Sequence, residues 1–584
     1  MFCGRCVRLP GRQYRPPTNA APKKPSIQLP REFPMYVVRV DDVLLMAEMR
    51  PHQELLKENI LVEYRPGMGS VTFVSHEWSG LSHPDPEQKQ LHALQDALRG
   101  FRDRSLQLTY DPVALMRRFQ KTLSYNELQK LSRGWLWIDF LSIPQRCACE
   151  TDEDRLQQQE QLREAVESLH TYVAHSSYFL ILAPVQHHEQ GRLMDYSSWK
   201  SRGWCQFEFT VNVIMGAKPV FLVQGLRAVK KVSSRIFLHF APCLAQFTNE
   251  EDKSFISNAL EEVIDAQVYR LRAAGEVHRL QMLECVRALL TRRAPDLTLF
   301  KRLSRTGSLA YMAKAAKSVQ YTGWTQLHYA TARSDRDAVA RLLAICERAD
   351  AQTAQADMDL FLGPKLQPLH MWAAFSFNED IASLLLQASV MVDCRGSGGL
   401  TPLMLSCRFG NTIACKTLLD MMADANAQDQ MGCRPLVFAL ANDAEDLVAP
   451  LLDAGADPRQ GWAGLSLLHF LALTSSATSL DRLIQEGLDI NMPCRLERFS
   501  LTGALVAFGM VTNRSLRQLF SLVDGSTPIL AAAAVGNAKV VQNLMCAGAV
   551  TTARNARGMD IHQICKLSCL PESVFTAYGA PLLE

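Results

Sequence analysis

A short apolar string recurs along the C-terminal half of the chain, and its recurrence limits what that half can become. TQLHYA begins at 325, QPLHMW at 367, TPLMLS at 401, RPLVFA at 434, SLLHFL at 466, TGALVA at 502 and TPILAA at 527. Each is followed by a second apolar stretch at helical spacing: VARLLA, ASLLLQ, KTLLDM, APLLDAGADP, DRLIQEGLDI, RQLFSLV and VQNLMCAGA. A pair of short amphipathic helices cannot bury its apolar face alone, so such units must stack side by side into a solenoid. The period is about 33 residues, with a step of about 42 after the first unit and about 25 before the last. The long step marks a loop at 346–366, and the short one a degenerate sixth unit beginning at 502.

The strings resemble the T-P-L-H-x-A opening of the ankyrin repeat, and the Asp-Ala-Gly-Ala-Asp-Pro turn at 453–458 is the clearest single match. The resemblance implies seven antiparallel helix pairs from 323 to about 575. Pro368, Pro402, Pro435 and Pro528 are expected to open first helices, where a missing N–H breaks no helical bond. His328, His370 and His469 are expected to fix turns by hydrogen bonding. Arrays of this kind have no intrinsic chemistry and bind partners along their hairpin tips and concave helix face. A protein partner is therefore expected, with Trp372 and Trp462 as anchors wherever they are exposed.

Composition excludes several other classes. The chain has 584 residues, 48% of them hydrophobic and 21% charged, which is globular material for several folding units. Its 62 basic and 59 acidic residues leave a formal charge of +3, too little for a field that holds phosphate backbones, so no nucleic acid is expected. The runs YFLILAPV at 178–185 and ALVAFGMV at 504–511 fall far short of the roughly 20 residues a membrane-spanning helix needs, so no membrane span is expected. Arg5, Arg8, Arg12 and Arg15 lie in a Pro-rich start without the apolar stretch of a secretory signal. Residues 1–65 read as an N-terminal extension, partly disordered, and 576–584 as a tail. The 16 cysteines are scattered, as befits free thiols in a reducing compartment, and a cytoplasmic location is expected. Cys3 with Cys6, and Cys565 with Cys569, lack the second half of a zinc site, so no metal is expected.

In the N-terminal half, three strings stand out: SVTFVSHEW at 70–78, LWIDFLSIPQ at 136–145 and SRGWCQFEFTV at 201–211. Short β-branched or aromatic runs alternate with longer helical periodicity, which predicts parallel strands at 71–74, 136–141, 178–183 and 219–223 with helices on both faces. Open parallel sheets bind ligands beyond the carboxyl ends of their strands. Ser75, His76, Asp139 and Ser142 fall there. Trp204 and Glu208 lie one helical turn apart and share a face, with Arg202 close enough to meet a phosphate. Ser75 and His76 are adjacent on a strand and point to opposite faces, which argues against a hydrolase triad with Asp139. His187, His188 and Glu189 read as a solvated loop rather than a metal site. Residues 227–322 read as a helical linker with a basic cluster at Arg287, Arg292, Arg293, Lys301, Arg302 and Arg305.

The order FVSHEW, WIDFLSIPQ, helix, apolar strand, RGWCQFE resembles the heterokaryon-incompatibility (HET) domain and the related Toll/interleukin-1 receptor (TIR) domain over about 155 residues. The resemblance implies a flavodoxin-like parallel sheet at 66–226, followed by the helical linker and an all-α ankyrin solenoid at 323–575. In several TIR-like domains the glutamate of the W-C-x-x-E run is the catalytic carboxylate of an NAD glycohydrolase; the matching residue is Glu208. Trp204, Ser75, Asp139 and Arg202 would then surround the nucleotide. The chemistry is coherent, because a pyridinium leaves without protonation and one carboxylate can stabilise the ribosyl cation. Other members of these families act as assembly modules. The chain departs from the TIR pattern by an insertion at 100–134 and by lacking the usual Arg-Asp and Pro-Gly loop after the second strand. Two functions follow as expectations. One is a protein-binding array carrying a TIR/HET-like signalling or assembly domain with self-association; the alternative is NAD cleavage, with NAD as substrate and no resident cofactor.

Overall fold

The computed structural model describes residues 33–103, 105–106, 109–110, 125–145, 152–216, 218–226, 228–232, 242, 245–291, 324–345, 348–353, 365–441, 444–474, 479–495, 521–568, 570 and 574. The N-terminal half is built on one mixed sheet. Its strands are β1 (Tyr36–Arg39), β2 (Leu61–Glu63), β3 (Val71–His76), β4 (Thr109–Tyr110), β5 (Trp135–Ile138), β6 (Tyr178–Leu182), β9 (Val220–Gly225) and β10 (Ala228–Val232). β7 (Gln186–His187) and β8 (Leu193–Met194) form a separate two-stranded hairpin. The large sheet runs β2-β1-β5-β3-β6-β9-β10-β4. Its central four strands β5, β3, β6 and β9 are mutually parallel, as the periodicity predicts. β6 reads Tyr-Phe-Leu-Ile-Leu and is buried along its whole length, the pattern of a strand covered on both faces.

One face carries Phe73, stacked on Trp137 at 4.5 Å and on Phe179 at 5.5 Å, beneath the helices Leu169–His175 and Gly203–Ile214. The other carries Val74, Leu180 and Leu182 against Leu91, Leu94 and Leu98 of the helix Lys89–Asp103.

The structure refines the sequence reading at several points. Within the partly disordered extension expected at 1–65, β1 and β2 join the sheet beside β5, with Val37 and Val38 fully buried. A strand of four residues is too short to show a period in sequence. The second parallel strand stops at Ile138, because Asp139–Ser142 turns into a helical hook in which the Ser142 hydroxyl accepts from the Ile138 N–H. The strand β8 leads into two helices, Tyr196–Ser201 and Gly203–Ile214, with a break at Arg202. A Cβ on Gly203 would come within 1.9 Å of the Phe247 ring, so only glycine lets the chain pass there. Finally, residues 228–291 are no linker. β10 extends the sheet, and the helices Asp252–Ala274 and Val277–Thr291 pack on the helix Gly203–Ile214 and on the start of the array. Arg287 leaves the expected basic cluster, since it is 7% exposed and caged by Glu261, Asp265 and Glu284; Arg292, Arg293, Lys301, Arg302 and Arg305 lie outside the described residues.

In the C-terminal half, seven inner helices among the described residues stack in order: Gln326–Ala332, Pro368–Phe375, Pro402–Arg408, Pro435–Ala441, Leu467–Thr474, Pro528–Val535 and Ile561–Ser568. All four motif prolines open their helices, as expected. Four outer helices are capped by short polar side chains: Asp335, Asn378, Asn411 and Asn537 each accept a first-turn N–H. Asn411 also donates to the carbonyls of Ala373 and Ser376, which locks one unit onto the preceding one.

The sixth unit expected at 502 falls largely outside the described residues, and Leu467–Thr474 packs directly on Pro528–Val535. The motif histidines register the same step: His328, His370 and His469 reach the carbonyls of Leu366, Leu400 and Ser526, each immediately before the next unit's cap. The unit opened by Thr527 is therefore sixth in the stack, and Ile561–Ser568 supplies a seventh that the strings did not reveal.

Candidate functional site

The carboxyl ends of β3 and β5 bring His76 and Asp139 together. His76 Nε2 lies 2.7 Å from Asp139 Oδ1, and its Nδ1 lies 2.8 Å from Gln90 Oε1. Gln90 donates its amide N–H groups to the carbonyls of Glu77 and Pro84, so its oxygen must face the imidazole. Both ring nitrogens therefore donate, and the ring is an imidazolium. Burial alone would lower its pKa, but the Asp139 charge and the hydrogen bonds to Asp139 and Gln90 raise it to about 9. Asp139 also accepts from the Trp78 indole at 2.9 Å and from the Phe140 amide, and its pKa is lowered: burial would raise it, but the imidazolium and these donors prevail.

Glu208 stands on the helix Gly203–Ile214, half-buried beside this pair, and its Oε2 is buried without a hydrogen-bond partner. Burial raises its pKa to about 8; Asp139 pushes the same way, while Ser75 and His76 pull back. At neutral pH the group is mostly a neutral carboxyl beside a charge-compensated His76–Asp139 pair. Ser75 points away from His76, accepting from the Trp199 indole at 3.1 Å, so no Ser-His-Asp triad forms, in keeping with strand alternation. Cys205 is buried on the same helix with its thiol toward the His76 carbonyl, and burial pushes its pKa up, which makes it an inert thiol.

The other two sequence-chosen residues are engaged elsewhere. Trp204 donates to Asp252 Oδ2 at 2.8 Å and packs against Phe207 and Phe255, so its ring is committed to the joint with the helix Asp252–Ala274. Arg202 donates to Thr248 Oγ1 at 2.7 Å and faces Glu77 at 3.8 Å. Glu77, unnoticed in the sequence, is a buried hub that also takes Arg192 at 2.7 Å and the Ser198 hydroxyl at 2.7 Å. Nothing in a single sequence links Glu77 to residues more than a hundred positions away.

The array presents a different kind of surface. Its motif histidines are fully buried, and burial lowers each pKa to about 4, so they are neutral turn-fixers. Trp372 is fully buried with its indole donating to the Asn378 carbonyl, which removes it as an anchor. Trp462 is half-buried at a hairpin, donating to the Met431 carbonyl and resting on Phe470. The stretches that follow the outer helices Glu379–Gln387, Thr412–Asp420 and Leu480–Gln485 instead expose Met391 at 71%, Met422 at 85% and Met492 at 52%. Among the described residues no metal-binding cluster occurs, His187 to Glu189 included, and no helix is long and apolar enough to cross a membrane.

Comparison with known proteins identifies the class of the C-terminal half. Residues 369–461 match the family model of ankyrin repeats, three copies. Over 136 residues the chain is 32% identical to Neurogenic locus notch homolog protein 1 of Mus musculus and of Rattus norvegicus, and 31% identical to that of Homo sapiens. Each match covers 23% of this chain and only 5% of the relative's length. Among solved structures, the crystal structure of the ankyrin repeat domain of Bcl-3 is similar at 20% identity, spanning 42% of this chain and 98% of that one with a TM-score of 0.31. The chain thus carries an ankyrin-repeat solenoid, a fold whose work is protein–protein interaction.

Proposed function

We propose that the chain is an interaction protein whose ankyrin array binds a protein partner along its hairpin tips and carries a TIR/HET-like signalling or assembly domain. The observation that carries this is the division of the array's surface. Inner helices of the first units share one core with the helices Asp252–Ala274 and Val277–Thr291, through Tyr329, Met371, Phe375, Leu405 and Phe409. The stretches after three outer helices hold the exposed Met391, Met422 and Met492, which are outside that core and are adaptable apolar side chains suited to a protein surface. The parallel strands, taken in chain order, lie 2-1-3-4 across the sheet, which is the order of a flavodoxin-like fold and supports the TIR/HET-like reading. The test replaces Met391, Met422 and Met492 together by glutamate and measures quantitative co-purification of partners from cells. Loss of partners with an unchanged melting curve is expected; unchanged partners would remove the tips from the proposal.

A second reading is NAD cleavage with Glu208 as the carboxylate. It is favoured by the orphaned Glu208 oxygen beside Ser75, His76 and Asp139 at the strand ends where the sheet order reverses. Trp204 and Arg202 give it no support, being engaged elsewhere. NAD consumption by purified protein that rises with pH toward about 8, as Glu208 ionises, is its signature. NAD left intact by the purified chain, dispersed or clustered, removes it.

A further inference from the structure

The hairpin of β7 and β8 touches both the strand-end site of His76, Asp139 and Glu208, called the crevice below, and the sixth unit of the array. On the crevice side Arg192 pairs with Glu77 at 2.7 Å, and the Glu189 amide donates to the Ser79 carbonyl at 2.9 Å. On the array side Val185 and Leu193 pack against the solenoid core. Asp195, which ends the hairpin, is 5% exposed and serves two elements at once. Its Oδ1 caps the helix Tyr196–Ser201 by accepting from the amides of Ser197 and Ser198, and its Oδ2 accepts from the Lys539 amide of the sixth unit at 3.3 Å. Lys230 of β10 donates to the Val535 carbonyl of the same unit at 2.5 Å.

These bonds close a loop. The chain runs from the sheet through two helices into the first unit, and the sixth unit returns to the domain from which the chain departed. The segment held there leads through Tyr196–Ser201, whose Ser198 hydroxyl bonds Glu77, directly into the helix that bears Cys205 and Glu208. We propose that residues 185–195 are a strap by which the sixth ankyrin unit holds the crevice helix in place, so that displacement of that unit by a bound protein releases the crevice. The trigger rests on the protein-binding reading; the strap itself rests only on the contacts above. The sixth unit is suited to such a role because the Lys539 amide and the Val535 carbonyl lie at the ends of its two helices, where backbone groups have no intrahelical partner and must be satisfied from outside.

The experiment uses the full chain and an Asp195→Asn, Lys230→Met double variant. Asparagine can keep the cap oxygen but opposes its own N–H to that of Lys539. Hydrogen exchange by mass spectrometry and the alkylation rate of Cys205 are read together. About tenfold faster exchange in both 186–201 and 536–546, with about tenfold faster Cys205 alkylation and unchanged β3 and β6, is expected for a local opening. Faster exchange confined to 197–201 would mean that only a helix cap was lost, and would overturn the strap. A rise throughout β3 and β6 would overturn it too, by showing that the contacts hold the whole domain. If the double variant does not fold, Lys230→Met alone leaves the cap intact and should give the same pattern more weakly; no change in it would also overturn the proposal. A failed NAD assay or a failed tip variant leaves these readouts unaffected.

Discussion

His76 Nε2 and Asp139 Oδ1 meet at 2.7 Å across the ends of two parallel strands, and with Gln90 on its other nitrogen the imidazole carries a full charge inside the protein. Asp139→Asn should lower the His76 pKa by about 1–3 units, read by NMR of the labelled ring. It should also destabilise the domain by about 3 kcal/mol, near the low end for breaking a buried pair because Asp139 is 28% exposed. A ring that still titrates near 9 would contradict the pairing.

Glu208 gives a stability test with a definite sign. Burial raises its folded pKa to about 8 from the ordinary 4.5, so its contribution is present below 4.5 and is lost as pH rises toward 8. Between those limits the wild type should lose on the order of 1.4 kcal/mol per pH unit relative to Glu208→Gln, less any relief from partial exposure. Denaturant melts of the two proteins at pH 5 and 8 check this. Parallel pH curves would mean that the carboxyl is solvated.

The array histidines run the opposite way. His328, His370 and His469 have folded pKa values lowered to about 4 from 6.5, so the unfolded chain binds protons that the native array refuses. Stability should fall from pH 6.5 toward 4 by about 1.4 kcal/mol per unit for each. His370→Gln should flatten that slope in thermal melts, and an unchanged slope would contradict burial as the cause.

Trp204 separates packing from ligand stacking. Trp204→Phe should remove about 1 kcal/mol through the lost bond to Asp252. Trp204→Ala should remove about 3 kcal/mol by opening a gap against Phe207 and Phe255. Denaturation midpoints decide it; an alanine variant as stable as wild type would return the ring to solvent and to a ligand role.

These residues show where the sequence was informative and where it was silent. Pro368, Pro402, Pro435 and Pro528 were legible as helix starts because proline restricts its own dihedral, a local effect. The parallel core strands were legible because burial on both faces leaves continuous apolar runs. The Glu77 hub, the Gln90 bond and the Asp195–Lys539 bond were not, since each joins polar residues through chain separations that no periodicity encodes. The partner of Trp204 was not legible for a related reason: helical spacing gives the face a residue occupies, but not that its indole meets a helix beginning at Asp252. The stacking of the unit opened by Thr527 on that opened by Ser466, marked by the His469 bond to Ser526, was not legible because TGALVA at 502 also fits the repeat motif locally.

If the exposed stretches after the outer helices form the partner surface, a photo-crosslinking amino acid placed singly at Met391, Met422 or Met492 in the full chain in cells should capture one recurrent protein. At Leu45, which is 86% exposed on the N-terminal domain, it should capture background alone. Recurrent capture at Leu45 with none at the three methionines would rule that surface out.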